Sequence, residues 1–221
     1  MKKTWNIIAI VAFSLVCLWY LLKVTFVFAI YQIPSDANKP AIKPGDKIYV
    51  SRFAKPEFNK FLCFEKKGVP LSVFRCVGMP NDIIEIRLGV LYRNGKQLYE
   101  PKIWNEYLIN KKMLTSILGY VKTNGYDLYE VNDSISRIAI SKSELQGFKL
   151  KLQQYVVSKD SVNEMISKAY PGTGYNEDNF GPLKIPANNY FVLGDDRHNA
   201  ADSRYFGLVN ETEIKATVIN K

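Results

Sequence analysis

The chain has 221 residues, and its 30 Lys and Arg against 21 Asp and Glu give a formal charge of +9. That length suits one sizeable domain plus an appendage. Three cysteines without a C-x-x-C pair and a single histidine argue against a structural zinc site, so no metal and no cofactor is expected. The positive charge comes without a basic aromatic helix or finger-like Cys/His spacing. A nucleic-acid partner is therefore set aside in favour of a basic face near anionic lipid headgroups.

The amino terminus carries the strongest physical signal. Lys2 and Lys3 precede Ile7 to Leu22, an apolar run in which Ser14 is the one clearly polar residue. Trp5, Trp19 and Tyr20 stand where interfacial aromatics are useful, and Lys23 can snorkel at the far end. A bilayer core needs ~20 apolar residues, so the run is slightly short without its flanks. No A-x-A-like cleavage site follows it. The pattern predicts a retained single-pass anchor over residues 1–23, with the amino terminus in the cytoplasm and the rest of the chain outside.

Beyond the anchor the pattern turns to strands. Val24 to Ile33 is rich in β-branched and aromatic residues. Lys47 to Phe53 alternates, with Ile48 and Val50 on one face and Tyr49, Ser51 and Phe53 on the other. Phe61 to Phe64 and Ser72 to Val77 read as a pair around the 66–70 loop, and Asp82 to Arg87 follows. Asn94-Gly95 between Val90-Leu91-Tyr92 and Gln97-Leu98-Tyr99 predicts a two-residue hairpin, since both turn positions tolerate positive φ. Residues 111–155 stay ambiguous, with Lys149 to Gln154 readable as strand or helix. One helix is expected from Ser161, with Glu164 completing a capping box and Val162, Met165, Ile166 and Ala169 at helical spacing. Asn189 to Leu193 and Ile214 to Ile219 complete a mostly β fold, closed or sandwiched, behind one transmembrane helix.

Four segments carry chemistry. Pro34-Ser35-Asp36-Ala37-Asn38-Lys39-Pro40 is the first and Gly45-Asp46 leading into Lys47 to Val50 the second. Arg75 to Asp82 is the third. Gly194-Asp195-Asp196-Arg197, running on to Asp202-Ser203-Arg204 and Gly207, is the fourth. In order and internal spacing they resemble signal peptidase I, whose boxes read P-S-x-S-M-x-P, G-D-x-x-x-V and K-R-x-x-G-x-P-G-D before the final box. The resemblance covers residues 32–98 and about 184–210. It implies a signal-peptidase-like β core over 24–100 and 184–221, interrupted by a β-rich inserted subdomain at 101–183. It also implies a serine endopeptidase ancestry, signal peptides or preproteins as ligands, and a place in the bacterial inner membrane with the main domain on the extracytoplasmic side.

The departures fall on the reactive positions. By spacing, Ala37 occupies the nucleophile position and Phe74 the position of the base lysine, while Asn38 replaces the methionine and Ala200 stands where a serine near the dyad is usual. A methyl group cannot attack a carbonyl and a phenyl ring accepts no proton, and Arg75 is no substitute because its pKa stays above ~12. The resemblance assigns Ser35, with Pro34 and Asn38 beside it, to the oxyanion and substrate groove. It assigns Asp195, Arg197, Asp202, Ser203, Arg204, Arg75 and Asp82 to a structural brace. Ser35, Ser72 and Cys76 are candidate displaced nucleophiles, each without a recognisable base, and His198 reads as a surface loop residue.

Three functions follow from different classes. The first is a non-catalytic homologue that binds signal peptides or an active partner, such as an active signal peptidase or a secretion component. The second is a signal peptidase using displaced residues. The third is a structural subunit of a membrane assembly whose old cleft is filled. An open groove beside Ala37 separates the first from the third, in which Phe74 packs across the cleft.

Overall fold

The computed structural model describes residues 2–24 and 28–221. Helix α1 (Lys2–Val24) contains the Thr4–Leu21 stretch. Among the described residues it is the one helix long and apolar enough to cross a membrane, and none of that window is buried inside the protein. The strand expected from Val24 begins, within the described residues, at β1 (Phe28–Gln32); residues 25–27 lie outside them.

The sheets follow the alternation of the sequence. Strand β2 (Lys47–Ser51) pairs antiparallel with β1 and buries Ile48 and Val50 as expected. Ser51, expected on the opposite face, is buried as well. Strands β3 (Phe61–Lys66) and β4 (Val69–Gly78) form a hairpin whose turn, Lys67-Gly68, takes its positive φ at Gly68. β5 (Ile83–Arg87), β6 (Val90–Arg93) and β7 (Lys96–Gln97) make the next meander. Its turn has φ of 53° at Asn94 and 75° at Gly95, the conformation that the Asn-Gly pair predicts.

The middle of the chain holds more helix than its sequence pattern predicts. β8 (Trp104–Asn110) runs into α2 (Lys111–Asn124), capped by the Asn110 side chain and closed by Gly125 in the left-handed region. β9 (Leu128–Glu130), β10 (Ile135–Ser141), α3 (Lys142–Gly147) and β11 (Gln153–Gln154) follow. The helix expected from Ser161 is α4 (Glu164–Ala169). It starts two residues late because the Asn163 side chain, accepting from Met165 and Ile166 N–H, is the cap. Only Ile166 of its apolar positions is deeply buried, while Val162 and Met165 face solvent.

β12 (Phe180–Lys184), β13 (Asn189–Leu193), α5 (Ser203–Phe206), β14 (Val209–Asn210), a 3₁₀ turn (Glu211–Glu213) and β15 (Ile214–Asn220) close the chain. A seven-stranded sheet has the order β1-β2-β15-β3-β4-β13-β14. One four-stranded sheet, β11-β8-β10-β9, is built from residues 104–154, and another runs β12-β5-β6-β7. The fold is therefore mostly β. The seven-stranded sheet buries Leu62, Phe64, Phe74, Cys76 and Val192 in one cluster, each large side chain worth about 1.5–3 kcal/mol.

Candidate active site and its surroundings

The first box lies just beyond β1, in a turn rather than a strand. Pro34 and Ser35 are exposed, Ala37 is half-buried and Asn38 is buried. Ser35 therefore does not share a strand face with Ala37, as period-2 alternation would require. The turn is held from both sides. Asn38 Nδ2 donates to the Val73 carbonyl at 2.7 Å, and Asp196 N–H donates to the Ala37 carbonyl at 3.1 Å.

Phe74 reaches the same place from β4. Its ring is 7% exposed and sits 6.2 Å from the Phe64 ring and 6.3 Å from the Phe206 ring. Ala37 and Ala200 pack on this cluster. Gly194 is where the three altered positions meet. A Cβ there would collide with the Ala200 methyl, lie 2.6 Å from the Ala37 carbonyl oxygen and 3.4 Å from the Phe74 ring. The residues that the resemblance sets at the nucleophile, base and neighbouring-serine positions thus pack against one another and Gly194, as two methyl groups, a phenyl ring and a glycine in close contact.

The ionisable groups nearby are committed elsewhere. Lys39, two residues after Ala37, lies 2.8 Å from Asp36 and 3.5 Å from Asp127, and donates to the Gly125 carbonyl at 3.2 Å. Burial pulls its ammonium down, but the two carboxylates outweigh burial and hold the pKa above its ordinary value. A lysine so held is not a base at neutral pH. The Cys76 thiol is pushed up to about 12 by burial, so it is no nucleophile either. Ser72 Oγ donates to the Pro70 carbonyl. His198 is not a surface residue: its Nε2 lies 3.1 Å from Asp178 Oδ2, its side chain is 9% exposed, and its Nδ1 is buried without a partner.

Around this apolar cluster stands a set of buried charges. Arg75 grips Asp195 with two bonds, 2.7 Å from Nε to Oδ1 and 2.5 Å from NH2 to Oδ2, and lays its guanidinium 4.2 Å from the Phe61 ring centroid. Burial pushes the Asp195 carboxyl up in spite of that partner. Arg204 grips Asp202 in the same forked way, at 2.9 and 2.8 Å, and both are almost wholly buried. Asp202 Oδ2 also accepts from Gly194 N–H, and Ser203 Oγ accepts from Val192 N–H. Arg197 donates to the Gly194 carbonyl at 3.2 Å and to Glu100 at 2.6 Å. Asp82 stands apart from these: it closes the 79–82 turn through Met79 N–H and pairs with Arg93 and Asn94.

Two features escape the motif reading. Asp196 is buried, its Oδ2 has no partner, and its carboxyl is pushed up to about 8 by burial and then by the Asp127 carboxylate. Trp104 N–H donates to the Asp195 carbonyl and Arg197 N–H to the Trp104 carbonyl, which ties β8 to the last box. Neither has a local sequence signal, because both depend on partners from distant segments.

Comparisons with known proteins identify the family. The family profile described as signal peptidase, peptidase S26, matches residues 5–220. Signal peptidase I S of Bacillus subtilis is 26% identical over 87% of this chain and 75% of its own length. Signal peptidase I of Buchnera aphidicola subsp. Schizaphis graminum is 29% identical over 88% of this chain and 68% of its own. A signal peptidase I crystal structure from Enterococcus faecalis aligns at 22% identity over 74% of this chain and 96% of that one. Its TM-score of 0.37 is too low to add to the argument.

Proposed function

The chain belongs to the signal peptidase family, peptidase S26, and from that premise we propose that it is a non-catalytic member that binds extended polypeptide beside the old active site. The observation that carries the proposal is the close apolar packing around Gly194, where Ala37, Phe74 and Ala200 supply neither a nucleophile nor a base. Serine attack needs a proton acceptor within hydrogen-bond reach, and a lysine acceptor needs to be neutral. Lys39 is held protonated, and His198 is engaged with Asp178. These facts also weaken the reading in which displaced residues restore cleavage.

Phe74 packs against Ala37 and Ala200 where a binding homologue is expected to keep an open groove, so the binding half of the proposal rests on the sheet edge beside them. Among the described residues, strand β13 covers β4 only from Arg75 to Gly78, which leaves the outer edge of residues 69–74 without a strand. An extended peptide adds to such an edge by main-chain hydrogen bonds. The ligand class is signal-peptide-bearing preprotein, as the family implies, or the exposed segment of an active signal peptidase or other secretion component. Helix α1 would hold the site at the outer face of the bacterial inner membrane, and residues 101–183 would form an inserted subdomain beside it.

A preprotein-processing assay in detergent tests this. The unaltered chain is expected to leave the preprotein intact, and the Ala37→Ser, Phe74→Lys double variant to cleave it slowly. Cleavage by the unaltered chain that vanishes on Ser35→Ala would sink the proposal.

A further inference from the structure

Strand β4 directs its main-chain groups alternately to its two edges. Cys76 N–H donates to the Lys60 carbonyl and the Cys76 carbonyl accepts from Asn59 N–H, so residue 76 faces the β3 side. By alternation Phe74 faces that side too, while Val73 and Arg75 present their groups to the opposite edge. At Arg75 that edge is taken by Leu193 of β13. At Val73 no strand is present, and the acceptor is taken instead by Asn38 Nδ2 at 2.7 Å.

The Asn38 carboxamide therefore occupies a place on the sheet that a bound strand would occupy, but it fills that place incompletely. A strand residue opposite Val73 would both donate and accept there. Asn38 only donates: its Oδ1 is buried and has no hydrogen-bond partner, on a residue that is 1% exposed. The orientation is fixed, because the other amide rotamer would set Oδ1 against the Val73 carbonyl oxygen. Leaving a buried acceptor unpaired is costly, so the plug is held less well than a complete strand would be.

We infer that Asn38 is a displaceable plug on the β4 edge, and that it sets the affinity with which the chain takes up extended peptide. This deepens the peptide-binding reading above and rests on it. A peptide reaching Val73 must first break the Asn38 bond. Removing the carboxamide removes that competitor and leaves the Val73 carbonyl free for the incoming strand.

Binding of a fluorescent peptide carrying the small-x-small end of a signal sequence, measured by anisotropy on the full chain in non-ionic detergent, tests the plug. Asn38→Met and Asn38→Ala are both expected to bind about fivefold to tenfold more tightly than the unaltered chain, through faster association. A purely structural role for Asn38 would loosen the site and not tighten it, so thermal melts of each variant are recorded alongside. Unchanged or weaker binding in both variants overturns the plug and leaves the peptide-binding reading standing. No binding by any of the three chains overturns both.

Discussion

The apolar cluster around Gly194 and the charged set beside it are neighbours with opposite characters. The cluster holds Ala37, Phe74 and Ala200, none of which can move a proton. The neighbouring set holds Arg75–Asp195, Asp202–Arg204 and Arg197–Glu100, and it draws on the segment whose Gly194, Asp195, Arg197, Asp202, Ser203 and Arg204 carry the resemblance to the family's final box. Physical cost accounts for the contrast. On the proposed reading, Phe74 stands in place of a base lysine, and its ring packs against Phe64 and Phe206 as a well-buried hydrophobe. Removing one partner of a buried ion pair strands the other. On that reading the reactive groups are the part of such a site that can be lost without unfolding it.

The largest expected effect tests that cost directly. Arg204→Ala leaves the Asp202 carboxylate unpaired beside Gly194 N–H, and it also frees the Arg197 and Glu177 carbonyls. Destabilisation of about 3–5 kcal/mol is expected by denaturant unfolding. A loss under about 1 kcal/mol would show that these charges are dispensable, and the contrast between the two regions would collapse.

A smaller and pH-dependent effect belongs to Asp196, whose N–H holds the Ala37 carbonyl. Its carboxyl is pushed up to about 8 by burial, with Asp127 adding to the shift and Lys39 opposing it. Between the ordinary carboxyl range and pH 8 the folded chain keeps a proton that the unfolded chain releases. Stability relative to Asp196→Asn should therefore be greatest in acid, fall as pH rises through that window, and level off above about 8. Unfolding midpoints of both chains across pH 4 to 9 check this. Parallel curves would mean that Asp196 is ionised in the folded chain.

The contrast was partly legible in the residues alone. Spacing within the boxes sets Ala37 and Phe74 at the reactive positions of the resemblance, and the structure brings both of them beside Gly194. The Asn94-Gly95 turn was legible because its geometry is local. Helix α2 was not: Gly119, Thr115 and Ser116 dilute its apolar stripe of Met113, Leu114, Ile117 and Val121, although Asn110 and Gly125 mark its ends. The expected start of α4 at Ser161 failed because Asn163 competes for the capping role and wins. Burial of His198 and the Lys39–Asp127 pair escaped altogether. Each joins segments far apart in the chain, His198 with Asp178 and Lys39 with a residue beyond α2, and no local pattern encodes such a meeting.

The smallest effect sharpens the comparison from the side of the apolar cluster. Ala37→Ser alone adds one hydroxyl at a half-buried turn position, so its effect on stability should stay within about 1 kcal/mol. It should also give no proteolysis at neutral pH. The new Oγ would face the Phe74 ring where a base is needed, Arg75 is engaged by Asp195, and Lys39 is held protonated by Asp36 and Asp127. Preprotein cleavage by this single variant would mean that some neighbour takes the serine proton after all. The apolar cluster would then be one residue short of an active site, and the proposed division between a lost reactive pair and a retained charged frame would have to be redrawn around whichever residue supplied the base.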